Sequence, residues 1–306
     1  SEMGEKIGPE FTFGIYAQKA LKEPILIIKT AWGGKSIHTD FRPPSAGPYV
    51  FNKNELDNFK RRGKDIKEVK AEKTEQTGRF YGLMKDHVKK VLVDIKRVYP
   101  QYNEKKGYEL AGFAWFQGWN DMVASGTYPN RDKPGGYDAY TDCLAHFIRD
   151  VRKDLNAPKM KFVIGVMGVG GPLDKYASPR YVPVHGNFRN AMAAPAEMPE
   201  FKGNVFAVRT AKFWDMRLKE LEDKQTEVKQ MAGFLKSKHK DHANSDGSMS
   251  AADQKEYLEK YRKKLISEEE KAYAQIARSN GGYHYYGSAK TMAQIGKAFA
   301  EALLGN

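Results

Sequence analysis

Four short apolar runs, Ile25–Ile28, Ala111–Phe116, Phe162–Val166 and Val205–Val208, are separated by segments whose apolar residues recur at helical spacing. Runs of that length with little polar alternation suit strands covered on both faces. Parallel neighbours need long crossovers, and helices supply them, so this order predicts an α/β chain: a three-layer sandwich with a doubly wound, mostly parallel sheet. Gly8-Pro9-Glu10 opens a helix through Leu21, with proline in its first turn. A second helix is expected over Thr77–Tyr99 with Leu83, His87, Val91 and Ile95 on one face, and others over Tyr137–Leu155 and Met292–Leu304.

From Lys212 to Ser279 the chain turns lysine- and glutamate-rich, with a small-residue break at Asn244–Ala252, and is expected to form an inserted helical hairpin. The expected organisation is an α/β core over 1–211, the insertion over 212–279, and a loop with a closing helix over 280–306. Within the break, His242, Asn244, Asp246, Gly247, Ser248 and Asp253 fall near calcium-loop spacing. His242 removes the first carboxylate and Asp253 is a short substitute for the closing glutamate, so a plain loop capping the next helix is the preferred reading and no metal site is expected.

The formal net charge is +13, but most lysines are interleaved with acidic residues over Asn52–Lys106 and Lys212–Lys271, as on solvated helix faces. No nucleic-acid motif accompanies them, which favours attraction to acidic glycans over binding to nucleic acid. No apolar stretch is long enough to span a membrane as a helix, and Ser1–Lys6 does not resemble a signal peptide. The one cysteine, Cys143, sits beside Leu144 and Phe147, which suits a buried structural thiol better than a nucleophile.

Chemistry concentrates at three glycine-containing turns. The Ala111–Phe116 run ends abruptly in Gln117-Gly118-Trp119-Asn120-Asp121, polar and small groups at a strand's carboxyl end, where open α/β sheets bind ligands. Gly118 leaves a backbone N–H approachable and Asn120 can aim its amide at the same point, an arrangement suited to a developing oxyanion; the plainer reading is a Gly/Asn turn. Gly33-Gly34-Lys35-Ser36 ends like a phosphate-binding loop, but Lys29 stands where that loop needs a further glycine. Gly34 is instead a candidate to lend its N–H beside Gly118 and Asn120. His284, in the Ser279–Lys290 loop just before the closing helix, is a candidate general base, against the alternative of a structural histidine among tyrosines.

These segments carry a resemblance. Gly118-Trp119-Asn120-Asp121 matches a block of the SGNH hydrolases, and Trp115-Phe116-Gln117-Gly118 resembles a segment of their sialate O-acetylesterase and carbohydrate esterase branch. Gly8-Pro9-Glu10, Ala31-Trp32-Gly33-Gly34 and His284–Lys290 are similar to further segments of that branch. The resemblance implies a flavodoxin-like SGNH fold and a serine esterase acting on acetylated carbohydrates without a cofactor. It assigns Gly34, Gly118 and Asn120 to the oxyanion hole and His284 to the base, favours a secreted or periplasmic location, and leaves Gln117 and Trp119 as candidates for lining the sugar site.

Two departures shape the expectations. The family's nucleophile lies in a Gly-Gln-Ser-Asn type block on a first strand upstream of Gly8, and no serine in this sequence replaces it. Loss of that interior strand would leave its neighbours with unpaired edges, so a separate N-terminal polypeptide bearing the strand and the serine is expected to complete the fold, and this chain alone is expected to be inactive. The rival expectation is a noncatalytic carbohydrate-binding or assembly protein on an esterase fold. The second departure is Gly281, three residues before His284, where the resemblance places an orienting aspartate; a backbone carbonyl or a carboxylate from elsewhere, with Asp40 and Asp215 as candidates, is expected to hold the ring, or the base works as a dyad with serine.

Overall fold

The computed structural model describes residues 7–176 and 178–305. In chain order its principal elements are α1 (Glu10–Leu21), α2 (Lys53–Arg61), α3 (Ile66–Gln76), α4 (Arg79–Val93), β1 (Gly112–Trp115), α5 (Trp119–Met122), α6 (Asp138–Asp154), β2 (Lys161–Val166), α7 (Val182–Ala193), β3 (Val205–Arg209), α8 (Met216–Lys236), α9 (Ala251–Leu265), α10 (Glu268–Ala277) and α11 (Ala289–Leu304). They divide into two units. A sheet unit comprises Gly8–Gly168, Pro172–Phe213 and the chain from Ala293 onward; a helical unit is built mainly from Trp214–Met292.

In the sheet unit the strands run in the order β1-β2-β3 and all pair in parallel, as the alternation of apolar runs and helices predicts. Phe113 pairs with Phe162, and Ile164 with Ala207, which fixes which side chains share a face. On one face, Phe113, Trp115 and Phe162 meet Phe147 of α6, with ring centroids 5.8, 4.4 and 6.4 Å away. On the other, Phe116 packs edge-on against Phe299 of α11 at 5.5 Å. Gly165 permits that packing, because a Cβ there would stand 2.5 Å from both rings. Helices therefore cover both faces of the sheet, giving the three layers.

The fourth expected strand does not form. Ile25–Ile28 carries no ladder, and Leu26 and Ile27 are 45% and 38% exposed. An apolar run becomes a strand only by pairing its backbone with a neighbour, and β1, at the sheet edge, pairs with β2 on one side only among the described residues. On α4 the buried stripe is Tyr81, Met84, Val88 and Val91, continued by Ile95, whereas Leu83 is 44% exposed and His87 faces solvent. Val91 and Ile95 thus lie on the expected face, while over the earlier turns the buried side is one position on, at Met84 and Val88, with Tyr81, whose hydroxyl donates to Asp154, beside them.

In the helical unit α8 and α9 form the expected hairpin and α10 extends it. Ser267 and Glu270 start α10 with reciprocal side-chain to backbone hydrogen bonds, as do Ser250 and Asp253 for α9. Asp253 is therefore engaged in capping, and Asp246 accepts from the backbone and hydroxyl of Ser248. The 242–253 segment is the capping loop preferred from its sequence, pinned by buried Asn244, which donates to the Leu235 carbonyl and accepts from Met249 N–H.

Tight helix packing gives a direct test. A Cβ at Gly296 of α11 would collide with the Pro9 carbonyl and Thr12 Oγ1, where Thr12 also donates to the Ala293 carbonyl at 2.9 Å. G296A is expected to lower stability in urea unfolding by about 1–3 kcal/mol. Gly82, inside α4 with open space where a Cβ would go, serves as control: G82A is expected to raise stability by about 0.5–1 kcal/mol.

Candidate active site

The carboxyl end of β1 leads through Phe116 and Gln117 into the turn that starts α5, and this turn meets the Gly33–Asp40 loop around one carboxylate. Asp121 is fully buried and accepts from Ile37 N–H at 2.9 Å, His38 N–H at 3.1 Å, Gln117 Nε2 at 2.7 Å and Tyr128 hydroxyl at 3.2 Å. Gln117 Nε2 also donates to the Lys35 carbonyl at 2.9 Å. Both loops are thereby stapled together, although their residues lie more than eighty positions apart in sequence. Burial pushes the Asp121 carboxyl above its usual range, while its donors and the nearby His38 pull it back.

This staple brings together the candidate oxyanion residues of the sheet unit. Gly34 adopts φ +71°, a left-handed conformation that favours glycine, and a Cβ on it would stand 3.8 Å from Asn120 Nδ2. Gly118 is buried, and a Cβ there would press on Phe188 at 2.9 Å and Met192 at 3.3 Å, so only glycine fits the floor made by α7. Among the described residues, no hydrogen bond engages the Asn120 amide or the N–H groups of Gly34 and Gly118. Three donors therefore stand uncommitted in one small region, the condition for stabilising negative charge that develops on a ligand.

Of the candidate sugar-lining residues, Trp119 is half-buried. Gln117 turns out to brace the loops: its Nε2 is committed twice, and its Oε1 is buried without a donor among the described residues. Ser36 is buried, and its N–H and hydroxyl both bond Asp40 Oδ2, at 2.9 and 3.0 Å. Cys143 is buried on α6, its Sγ 3.5 Å from the Ile37 carbonyl, and burial pushes the thiol up to about 12, in keeping with a structural role. Among the described residues, no helix is long and apolar enough to cross a membrane and no group of His, Cys, Asp and Glu could hold a metal ion.

His284 belongs to the helical unit and is exposed there. Its loop is closed on itself, with the N–H groups of Ser279 and Asn280 both donating to the Tyr286 carbonyl at 2.8 Å. Tyr285 and Tyr286 are buried against Trp214, and Tyr286 also donates its hydroxyl to Glu222 at 2.7 Å. Asp215 does not orient the imidazole: it caps α8 through Leu218 N–H and accepts from Tyr273 hydroxyl at 2.6 Å. The group against His284 Nδ1 is Asn280 Oδ1, at 3.1 Å, a partner that the sequence signals only as an Asn four residues upstream in a glycine turn.

The buried staple yields two predictions. D121A, which leaves two backbone N–H groups and two side-chain donors without their acceptor, is expected to cost about 3 kcal/mol in urea unfolding. His38 is pushed below 6.5 chiefly by burial, so the neutral ring is the one the fold accepts. Its contribution to stability is complete above pH 6.5 and lost as pH falls towards the lowered folded value, so wild type is expected to lose more stability than H38N across that window, measured by urea unfolding at a series of pH values.

Neither a curated protein nor a solved structure matches this chain. A family model does: that of the carbohydrate esterase, sialic acid-specific acetylesterase family matches residues 2–194, more than half of the 306. The match covers β1, β2, both glycine turns, Asn120 and the Asp121 staple, and the chain belongs to the sialic acid-specific acetylesterase family of carbohydrate esterases.

Proposed function

We propose that the protein removes O-acetyl groups from carbohydrates by a serine-esterase mechanism, with Gly34, Gly118 and Asn120 as oxyanion hole and His284 as general base. The observation that carries this reading is the set of three uncommitted donors held around Asp121 in a chain of an acetylesterase family. A serine Oγ would attack the acetyl carbonyl as its proton passes to His284 Nε2, and the carbonyl electron pair would move onto an oxygen facing the three donors. Collapse would expel the sugar oxygen, which takes the proton back from His284. Water activated by the same ring would then release acetate and restore the serine.

In this reading the serine arrives on an added apolar strand, carried by a separate N-terminal polypeptide, that pairs with β1. The edge of β1, unpaired among the described residues, the unladdered Ile25–Ile28 with Leu26 and Ile27 exposed, and the buried Oε1 of Gln117 support it, since an added strand offers backbone and apolar partners. The chain by itself then lacks a nucleophile and is inactive. Trp119 offers a face for a sugar ring, while Gln117, with Nε2 committed and Oε1 buried, would act only by bracing the turn beside it, and the net charge of +13 suits an acidic glycan.

The test is hydrolysis of a chromogenic acetate ester by the native material. N120A is expected to lower kcat by about 100- to 1,000-fold and H284A by at least about 100-fold, with both variants still folded. Intact-mass analysis of the same material is expected to show a second polypeptide. Trace hydrolysis, equal in wild type and both variants, would leave the noncatalytic carbohydrate-binding reading in place of the enzyme.

A further inference from the structure

The loop around His284 is more tightly built than an exposed loop requires. Tyr285 and Tyr286 lie at φ +52° and +57°, left-handed conformations that are outliers for aromatic residues, and Tyr286 has no exposed surface. Such backbone persists only where the surroundings over-determine it. Here the Trp214 ring packs against both tyrosines, Glu222 accepts from the Tyr286 hydroxyl, and the Tyr286 carbonyl receives two backbone N–H groups.

The residue this framework holds hardest is Asn280. Its N–H donates to the Tyr286 carbonyl at 2.8 Å, its carbonyl accepts from Arg278 Nε at 3.1 Å, and its Oδ1 accepts from Gly281 N–H at 2.8 Å. The last bond assigns the amide, because Oδ1 must face the Gly281 N–H and therefore presents an acceptor, not a donor, to His284 Nδ1 at 3.1 Å. Tyr283 packs its ring on the imidazole at 4.4 Å and limits rotation. Arg278 and Glu222 are the charged groups tied to this loop, and neither is bonded to the ring among the described residues.

We infer that Asn280 is the positioning residue for His284: a neutral amide oxygen holds the proton on Nδ1 and leaves the Nε2 lone pair outward as the basic atom. As a route to catalysis this rests on the function proposed above; as a statement about the ring it does not. Asn280 fixes tautomer and orientation without a charge, so the imidazolium that forms during proton transfer gains a hydrogen bond but no ion pair.

Nitrogen-15 NMR of the full chain in mildly alkaline solution reads the tautomer directly, with H284Q identifying the signal among the seven histidines. Wild type is expected to show Nδ1 protonated and Nε2 unprotonated. N280A is expected to shift the ring towards the Nε2–H form that free histidine prefers, and N280D, which keeps an acceptor in place, is expected to restore the wild-type tautomer. An Nε2–H ring in wild type, or an unchanged tautomer in a folded N280A, would overturn the assignment. Should N280A not fold, the wild-type spectrum and N280D decide. Failure of the esterase reading is separable, because ester hydrolysis indifferent to H284A would remove the base role without altering the tautomer.

Discussion

One buried carboxylate organises the catalytic-looking edge of the sheet. Asp121 gathers two backbone N–H groups from the Ile37-His38 segment and two side-chain donors from Gln117 and Tyr128, with no exposure to solvent. A charge buried so deeply is tolerable only when its oxygens are surrounded by donors, and the loops bend to supply them. The placement of Gly34 beside Asn120 follows from that demand. Donors fixed in advance need no reorganisation when charge develops on a ligand, which is where an oxyanion site gains its advantage over water.

The sheet bears on function in a different way. Its three strands are covered on both faces by α6, α7 and α11, yet among the described residues β1 has a partner on one side only and the apolar Ile25–Ile28 lies outside any ladder. A strand edge without a partner is a place for strand addition, since the incoming backbone satisfies its N–H and C=O groups. The Oε1 of Gln117, buried without a donor among the described residues, sits in the turn that follows this strand. In the proposed function the nucleophile would come on a strand added beside β1, whose own carboxyl end carries Gly118 and Asn120.

Strain and burial cooperate in the histidine loop. Two consecutive left-handed tyrosines are held by Trp214, Glu222 and the loop's own backbone, and the conformation they impose presents Asn280 Oδ1 to the imidazole. An amide in that role departs from the carboxylate that the family resemblance suggests. It keeps the geometry of a histidine with an orienting partner while removing the partner's charge.

By itself the sequence determined the α/β class, the apolar runs from which the parallel sheet is drawn, the helices between them and the turns that hold the candidate site residues. Those follow from apolar periodicity and local capping, which act over a few residues and are written in their order. A run such as Ile25–Ile28 declares a preference without guaranteeing a neighbour. Tertiary structure alone decided which apolar run would pair, which face α4 would bury, that Asp121 would join loops far apart in the chain, and that Asn280 would meet His284. Each of those depends on the desolvation of particular groups by residues distant in sequence, or on backbone conformations that only surrounding packing can enforce.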